Sequence, residues 1–253
     1  MKRGRIEVDG RPVEVVLEGN HVLSRDGRRY ALDDAKLLAP VMPANFYAAG
    51  LNYRAHIEWA NKAHGTSHKV PEQADIGYRS PNALIGSGEE IVIPRDSTGP
   101  VDYEGELVAV IGERAKHVPE SEALRCVAGY TLGNDISERT WQRADRTLWR
   151  AKNADTFKPM GPFIVPDLDP MAQTIEVRIN GRTVSKYETK GMIFSVAHYI
   201  ARMSRYVTLY PGDVIWLGCD GPTVPALEPG DLVEVVNEAI GVLANRVVRE
   251  TYF

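Results

Sequence analysis

Apolar residues along this chain fall into short runs, each closed off by proline, glycine, asparagine or aspartate. Runs of this length, rich in valine, isoleucine and leucine, are typical of β-strands. Asn180-Gly181 lies between two such runs and predicts a tight type I′ hairpin turn. The pattern favours a mainly β fold with a few short helices over alternating βαβ units. The clearest predicted strands cover residues 46–51, 91–94, 107–111, 175–179 and 232–236.

The first 44 residues show their own pattern of short strands and turns. Asp9-Gly10 and Asp26-Gly27 each separate two short apolar runs, which predicts two hairpins. Pro40 and Pro43 then interrupt the pattern. We therefore predict a small N-terminal β subdomain at residues 1–44 and a larger catalytic domain at residues 45–253.

Helical patterns are few. A stretch of about ten residues from Arg54 to Ala63 predicts a helix, and the polar segment that follows, 65–75, is a candidate lid. A second helix is predicted after Ser195, whose hydroxyl suits an N-cap. Its apolar face is formed by Val196, Tyr199, Ile200 and Met203.

Composition excludes several classes of protein. The chain has 253 residues, of which 43% are hydrophobic and 25% charged, as in an ordinary globular protein. Its net charge of −4 argues against nucleic acid as a partner. No segment resembles a signal peptide or reaches the ~18 apolar residues of a membrane span. With only two cysteines, Cys126 and Cys219, we expect free thiols and a cytoplasmic location without membrane contact.

Two glutamates at alternate positions are the first candidate site. In a strand, Glu104 and Glu106 point to the same side, where their carboxylates repel each other unless a cation lies between them. Asp135 ends the next predicted strand and is a candidate third ligand. An all-oxygen site of this kind favours Mg²⁺, Mn²⁺ or Ca²⁺ over Zn²⁺. Taken alone, the E-x-E spacing favours a solvated strand face over a metal site.

Seven segments, taken together and in order, resemble the fumarylacetoacetate hydrolase superfamily. The resemblance spans roughly residues 46–249, and the first ~44 residues lie outside it. The segments are Gly50-Leu51-Asn52-Tyr53 with His56, Ser80 to Gly86, Asp102 to Leu107, Gly129 to Asp135, Lys152 to Gly161, Met192 to Ser195, and Pro211 to Ile215.

The resemblance implies a fumarylacetoacetase-type β-roll or sandwich with a helical lid, usually as a homodimer. It also implies that Glu104, Glu106 and Asp135 hold Mg²⁺ or Mn²⁺, which chelates a small 2-oxo acid. Members of the superfamily hydrolyse C–C bonds of β-diketo acids, decarboxylate oxaloacetate-like acids, isomerise dienoates or dehydrate sugar acids.

Two catalytic roles follow from the resemblance. His56 matches a histidine that activates water together with a glutamate, and Lys152 matches a lysine that faces the substrate. In many relatives the glutamate lies three residues after the histidine, where this chain has Trp59. The nearest acid is Glu58, which we assign as the catalytic partner although side chains at i and i+2 of a regular helix do not face each other.

Three further residues are candidates for contact with substrate, although Arg79 stands where many relatives carry a lysine. Arg79 is suited to clamp a second carboxylate, and Gln142 and Thr189 are further substrate-binding candidates. The segment around Cys219 departs from the Gly-Thr-Pro-x-Gly loop common in the family, and this loop borders the substrate. We expect Cys219 to be a wall residue and not a nucleophile.

The sequence thus predicts a metal-dependent hydrolase that cleaves a C–C bond in a small 2-oxo or β-diketo acid. Arg79 favours an alternative, a decarboxylase or isomerase of a dicarboxylated dienoate, or an oxaloacetate decarboxylase. Because the usual H-x-x-E pair is lost, a third interpretation stays open, in which the protein binds a metal or ligand without catalysis.

Overall fold

The computed structural model describes residues 1–65, 67–221 and 223–251, and most of its regular structure is β-strand. In chain order the strands are β1 (Arg3–Val8), β2 (Arg11–Glu18), β3 (His21–Ser24), β4 (Arg29–Ala31), β5 (Leu37–Leu38), β6 (Phe46–Ala49), β7 (Ile76–Tyr78), β8 (Leu84–Ile85), β9 (Ile91–Ile93), β10 (Val101–Asp102), β11 (Gly105–Ile111), β12 (Val127–Asn134), β13 (Ser137–Glu138), β14 (Lys158–Val165), β15 (Thr174–Ile179), β16 (Arg182–Glu188), β17 (Val214–Trp216), β18 (Leu232–Asn237) and β19 (Gly241–Arg249).

The helices are short and lie between the strands. The α-helices are α1 (Arg54–His64), α2 (Arg139–Ala144) and α3 (Val196–Tyr206). Single 3₁₀ turns occur at Leu32–Asp34, Pro81–Ala83 and Thr189–Gly191, and a seven-residue 3₁₀ helix covers Glu120–Cys126. The predicted mainly β fold with few short helices is therefore confirmed.

A large, mostly antiparallel sheet runs in the order β4-β3-β2-β1-β14-β12-β11-β17-β6-β7. A second sheet has the order β16-β15-β18-β19-β9, and β10 pairs separately with β13. The side chains of β11 alternate between two buried clusters. Leu107 and Ala109 belong to the main core, whereas Val108 and Val110 pack in a second cluster with Trp216. Burial on both faces explains why this strand reads as a continuous apolar run.

The N-terminal strands extend the large sheet, because β1 pairs with β14 at Arg3 and Ile164. They also have a small core of their own, with Ile6, Val15 and Val22 packed on Phe163. The boundary near residue 44 and the homodimer stay predictions.

Among the described residues, no helix is long and apolar enough to cross a membrane. Both cysteines are free, as predicted, and the structure buries them.

Most of the predicted turns and caps are present. Asp9 and Gly10 have φ of 51° and 72°, and Asn180 and Gly181 have φ of 51° and 77°, as a type I′ turn requires. At the third site only Gly27 has a positive φ, and β3 and β4 pair as the predicted hairpin. The hydroxyl of Ser195 accepts from the backbone N–H of His198 and caps α3 as predicted.

Candidate metal centre and its charged neighbours

The pairing of β11 with β12 brings the three predicted metal ligands together. Glu106 lies opposite Gly133, and the backbone N–H of Asp135 donates to the carbonyl of Glu104 at 2.8 Å. The side chain of Asn134 accepts from the N–H of Glu104 at 3.0 Å and closes the same corner. One carboxylate oxygen from each acid lies within 4.8 Å of the others, and all three residues are buried.

Lys152 bridges two of these acids. Its Nζ lies 2.8 Å from Glu104 Oε2 and 2.9 Å from Asp135 Oδ2. Arg79 also contacts Asp135, with Nη2 at 2.9 Å from Oδ2. The structure therefore places two residues that were predicted to bind substrate directly against two predicted metal ligands.

Two further cations contact the acids and were missed by the sequence analysis. Arg139 donates through Nη2 to Glu104 and through Nε to Asp102, both at 2.7 Å. Lys158 is fully buried, with Nζ 2.6 Å from Asp135 Oδ1. Lys158 stands in the matching Lys152–Gly161 segment, but nothing in the sequence distinguishes it from a surface lysine.

These contacts lower the pKa of two of the three acids. Although burial opposes ionisation, Lys152 and Arg139 hold the pKa of Glu104 at about 2, and Arg79, Lys152 and Lys158 hold the pKa of Asp135 well below its ordinary value. Burial also lowers the pKa of Lys158, to about 7.

Glu106 differs from the other two acids. No arginine or lysine of the described residues forms an ion pair with it, and the hydrogen bond it accepts comes from the backbone N–H of Gly218 at 2.8 Å. Burial and the charges of Asp135 and Glu104 raise the pKa of Glu106 to about 8. When a buried carboxylate lies beside two others and has no cation partner, the three groups repel each other. A bound metal ion relieves this repulsion. The residues present therefore fit a divalent cation.

His56 lies on α1 near this cluster. Its Nδ1 is 3.1 Å from the carbonyl oxygen of Cys219 and 3.7 Å from the sulfur of the same residue. The rings of His56 and Trp59 meet edge to face at 5.9 Å. Glu58 is exposed on α1, while its neighbour Ile57 is buried. The structure thus does not bring Glu58 to His56, because side chains two positions apart in a helix point in different directions.

Two predicted substrate contacts have protein partners in the structure. Gln142 accepts from Arg139 Nη1 at 2.6 Å and so lies beside the cluster. Thr189 is fully buried, and its hydroxyl pairs with the backbone of Gln173, accepting at 2.9 Å and donating at 3.2 Å. This geometry gives Thr189 a role in joining two segments of backbone and no open face toward substrate.

Replacing Lys152 with methionine is expected to lower the free energy of unfolding by ~3 kcal/mol in the absence of added metal, because it removes a shared partner from two buried carboxylates. Urea unfolding at neutral pH measures this change. Lys186→Met is the matched control, since that side chain is 62% exposed and lies 3.9 Å from Glu176. It should cost at most ~1 kcal/mol. Equal losses in the two variants would show that Lys152 does not hold the acids in place.

The fold and this buried acidic cluster define a known class of enzyme. The model of the fumarylacetoacetate (FAA) hydrolase C-terminal domain matches residues 45–248, and the chain belongs to this family. The crystal structure of 5-carboxymethyl-2-hydroxymuconate delta-isomerase from Mycobacterium smegmatis is 37% identical, with a TM-score of 0.88 and 100% of both chains covered. The predicted family is therefore confirmed.

Two curated relatives show the range of reactions in the family. The 2,4-didehydro-3-deoxy-L-rhamnonate hydrolase of Sphingomonas sp. (strain SKA58) is 38% identical over 211 residues, covering 79% of this chain and 72% of the relative. The mitochondrial oxaloacetate tautomerase of Rattus norvegicus is 35% identical over 223 residues, covering 83% of this chain and 69% of the relative. Similar chains thus carry out hydrolysis, isomerisation and tautomerisation, so the family alone leaves the reaction open.

Proposed function

We propose that this protein is a divalent-metal-dependent hydrolase that cleaves a C–C bond in a small 2-oxo or β-diketo acid. The observation that carries the proposal is the buried Glu106, which lies beside Glu104 and Asp135 and forms no ion pair with any cation in the part of the chain that the structure describes. Three carboxylates are a donor set for hard cations, which favours Mg²⁺ or Mn²⁺, with Ca²⁺ as a possible substitute. When bound, such an ion supplies Lewis-acid polarisation of a 2-oxo group.

The charges of the site match a substrate that becomes doubly negative. At full ionisation, four cations face four carboxylates, so a bound divalent ion leaves two positive charges in excess. A 2-oxo acid brings one carboxylate, and its enolate adds a second negative charge. Electrostatic stabilisation of this kind is strongest in a buried site, where the fixed charges do not need to reorient. The cations are Arg79, Arg139, Lys152 and Lys158, and the acids are Asp102, Glu104, Glu106 and Asp135.

His56 is the base that the proposed hydrolysis requires. A neutral imidazole takes a proton from water, and the resulting hydroxide adds to the acyl carbonyl of the β-diketo acid. The C3–C4 bond then breaks, and its electron pair forms the enolate of the 2-oxo acid fragment. The proton held by His56 returns to C3 of that fragment. One water is consumed, and the products are a carboxylic acid and a 2-oxo acid.

A second candidate function is isomerisation or tautomerisation of a 2-oxo acid without hydrolysis. It needs the same enolate and a proton shuttle, but no water nucleophile. The exposed position of Glu58 favours it, because the carboxylate that supports water activation in hydrolytic relatives has no counterpart on α1. The named isomerase and tautomerase relatives favour it as well.

A substrate screen separates the two candidates. The protein is treated with a chelator, and turnover is measured with and without added Mg²⁺ or Mn²⁺ on acetylpyruvate, fumarylpyruvate, oxaloacetate and a seven-carbon dienedioate. Metal-dependent formation of pyruvate and a carboxylic acid from an acylpyruvate supports the hydrolase. A metal-dependent spectral change without C–C cleavage supports the second function, whereas CO₂ release would identify a decarboxylase and contradict both candidates. If turnover persists in chelator, the proposed metal dependence is wrong.

The acidic limb of the pH profile is expected to have its midpoint below pH 6.5. Burial lowers the pKa of His56, Arg139 and Lys152 act in the same direction, and Glu104 and the Cys219 carbonyl oppose them. Because the base must be neutral, activity is present above the pKa and is lost as the pH falls through it. The profile is measured at saturating Mg²⁺, so that metal loss does not contribute. A limb with its midpoint above 6.5 would contradict a buried His56 base.

A further inference from the structure

The hydrogen bond between His56 and Cys219 determines which ring nitrogen carries the proton. A backbone carbonyl only accepts, so the Nδ1 of His56, 3.1 Å from the Cys219 oxygen, must be the donor. In the neutral ring, Nε2 then has the free lone pair. Within the described residues, no side chain or backbone group forms a hydrogen bond with Nε2.

The same loop contacts the acidic cluster. Gly218, one residue before Cys219, donates its backbone N–H to Glu106 at 2.8 Å. The start of the loop is held in place because Leu217 donates to Leu107 at 3.1 Å and accepts from the side chain of Asn52 at 3.0 Å. One short loop therefore contacts both Glu106 of the candidate metal centre and the imidazole of His56, and it fixes the positions of both.

Glycine is required where the loop passes α1. Gly221 has φ of +111°, and a Cβ on it would lie 3.0 Å from His56 Cα and 3.5 Å from Trp59 Cβ. The φ value disfavours any residue with a side chain. The short distance also means that an added methyl group would push on the backbone that carries the imidazole. The position of His56 is thus coupled to the path of this loop.

We infer that the loop Gly218–Gly221 is the positioning element of His56 and that the Cys219 carbonyl holds its imidazole in the Nδ1–H tautomer. In a histidine–carboxylate pair, the acid performs this orientation. Here a neutral backbone oxygen performs it, and the side chains of Glu58 and Cys219 are not needed. The tautomer itself follows from geometry alone, whereas its use for water activation rests on the proposed hydrolase function.

The tautomer is measured by a long-range ¹H–¹⁵N correlation spectrum of the protein labelled with ¹⁵N-histidine. The spectrum is recorded above neutral pH, metal-free and with Mg²⁺, and His56→Gln assigns the signal. We expect a protonated Nδ1 and an unprotonated Nε2. A protonated Nε2 in the neutral ring would overturn the inference, whatever substrate the enzyme uses.

Two side-chain variants separate the carbonyl from its competitors. Cys219→Ala removes the thiol but keeps the carbonyl, and Glu58→Gln removes the nearest acid in sequence. Both should retain the Nδ1–H signal. Loss of that tautomer in Cys219→Ala would assign the role to the sulfur, and its loss in Glu58→Gln would assign it to the carboxylate. Either result overturns the inference.

Gly221→Ala tests the positioning role directly. It is expected to disturb the His56 tautomer and to lower kcat by about 10²-fold with little change in KM, since small misplacement of a catalytic group has effects of this size. Gly230→Ala is the matched control, because Gly230 has φ of +102° but a Cβ there meets nothing within 4 Å. It carries the same backbone strain and should keep both the tautomer and kcat. Equal effects in the two variants would overturn the positioning role.

The two proposals fail separately. If the Nδ1–H signal is present but no β-diketo acid is cleaved, the proposed function is wrong and the tautomer assignment stands. If an acylpyruvate is cleaved while Nε2 carries the proton, the hydrolase stands and the loop is not the positioning element.

Discussion

Glu106→Gln is expected to lower metal-dependent turnover by about 10³-fold or more while the protein stays folded. The substitution keeps the shape of the side chain but removes one of three anionic ligands. The Lewis-acid contribution of a bound metal ion is worth several kcal/mol, and each ~1.4 kcal/mol corresponds to a factor of ten in rate. Turnover on the substrate identified by the screen and isothermal titration with Mn²⁺ measure the two consequences.

The same variant should change stability in the opposite direction. Without metal, Glu106→Gln is expected to stabilise the fold by ~1 kcal/mol or more at neutral pH. Burial beside Asp135 and Glu104 raises the pKa of the Glu106 carboxyl to about 8, so folding must protonate a group that is ionised in the unfolded chain, and the neutral amide avoids this cost. With Mg²⁺ at about 100 times the dissociation constant, the original protein should gain ~2.7 kcal/mol, and the variant should gain far less. Thermal unfolding with and without Mg²⁺ tests this reversal.

Glu234→Gln is the matched control for both effects. Glu234 is a partly exposed glutamate in β18, on the second sheet, and its replacement should leave metal binding and turnover unchanged. If Glu106→Gln binds Mn²⁺ as tightly as this control, Glu106 is not a ligand and the proposed metal centre is wrong.

His56→Ala is expected to lower kcat for acylpyruvate hydrolysis by ~10²–10⁴-fold, the range typical for loss of a general base. Metal affinity should stay the same, since His56 does not belong to the acidic cluster. The acidic limb that His56 causes should disappear from the residual activity. Steady-state kinetics across pH and Mn²⁺ titration of the variant provide the test.

His21→Ala controls for the removal of a histidine as such. His21 is an exposed residue in β3, in the N-terminal part of the large sheet. Its replacement should leave kcat and the pH profile intact. Unchanged hydrolysis in His56→Ala would remove His56 from the mechanism and would favour an isomerase whose proton shuttle is another group.

Much of the fold could be predicted from local pattern. The strand runs, the Asn180-Gly181 turn and the Ser195 cap depend on residues close in sequence, so the chain shows them directly. Both N-terminal hairpins are present, but their turns differ, because Gly27 alone adopts a positive φ in the second. Turn type depends on how many residues the paired strands leave between them, which composition does not show.

The three acids of the candidate metal centre could be predicted as a group, but their charged surroundings could not. The alternation of Glu104 and Glu106 in a strand is a local feature, and the ordered motifs added Asp135. Arg139 and Lys158 have no such signal, because an arginine opening a helix and a lysine opening a strand are usually solvated. Only the packing of β14 and α2 against the ends of β11 and β12 turns them into partners of buried carboxylates.

The hydrogen-bond partner of His56 could not be predicted from the sequence either. Sequence proximity pointed to Glu58, but the helix turns that residue toward solvent. The group that contacts Nδ1 is a backbone oxygen 163 positions away, and every residue has such an oxygen. Thr189 was likewise predicted to bind substrate, but its hydroxyl accepts a hydrogen bond from the backbone N–H of Gln173.

The sequence by itself determined the β-rich fold, the family and the choice of the three acids. The strand period, the turn residues and the ordered motifs all depend on residues that lie close together in the chain. The tertiary structure alone decided which cation neutralises which acid, that Glu106 has no cation partner among the described residues, and which nitrogen of His56 carries the proton. These properties depend on distances of about 3 Å between groups far apart in the chain, and on burial, which makes such distances energetically decisive.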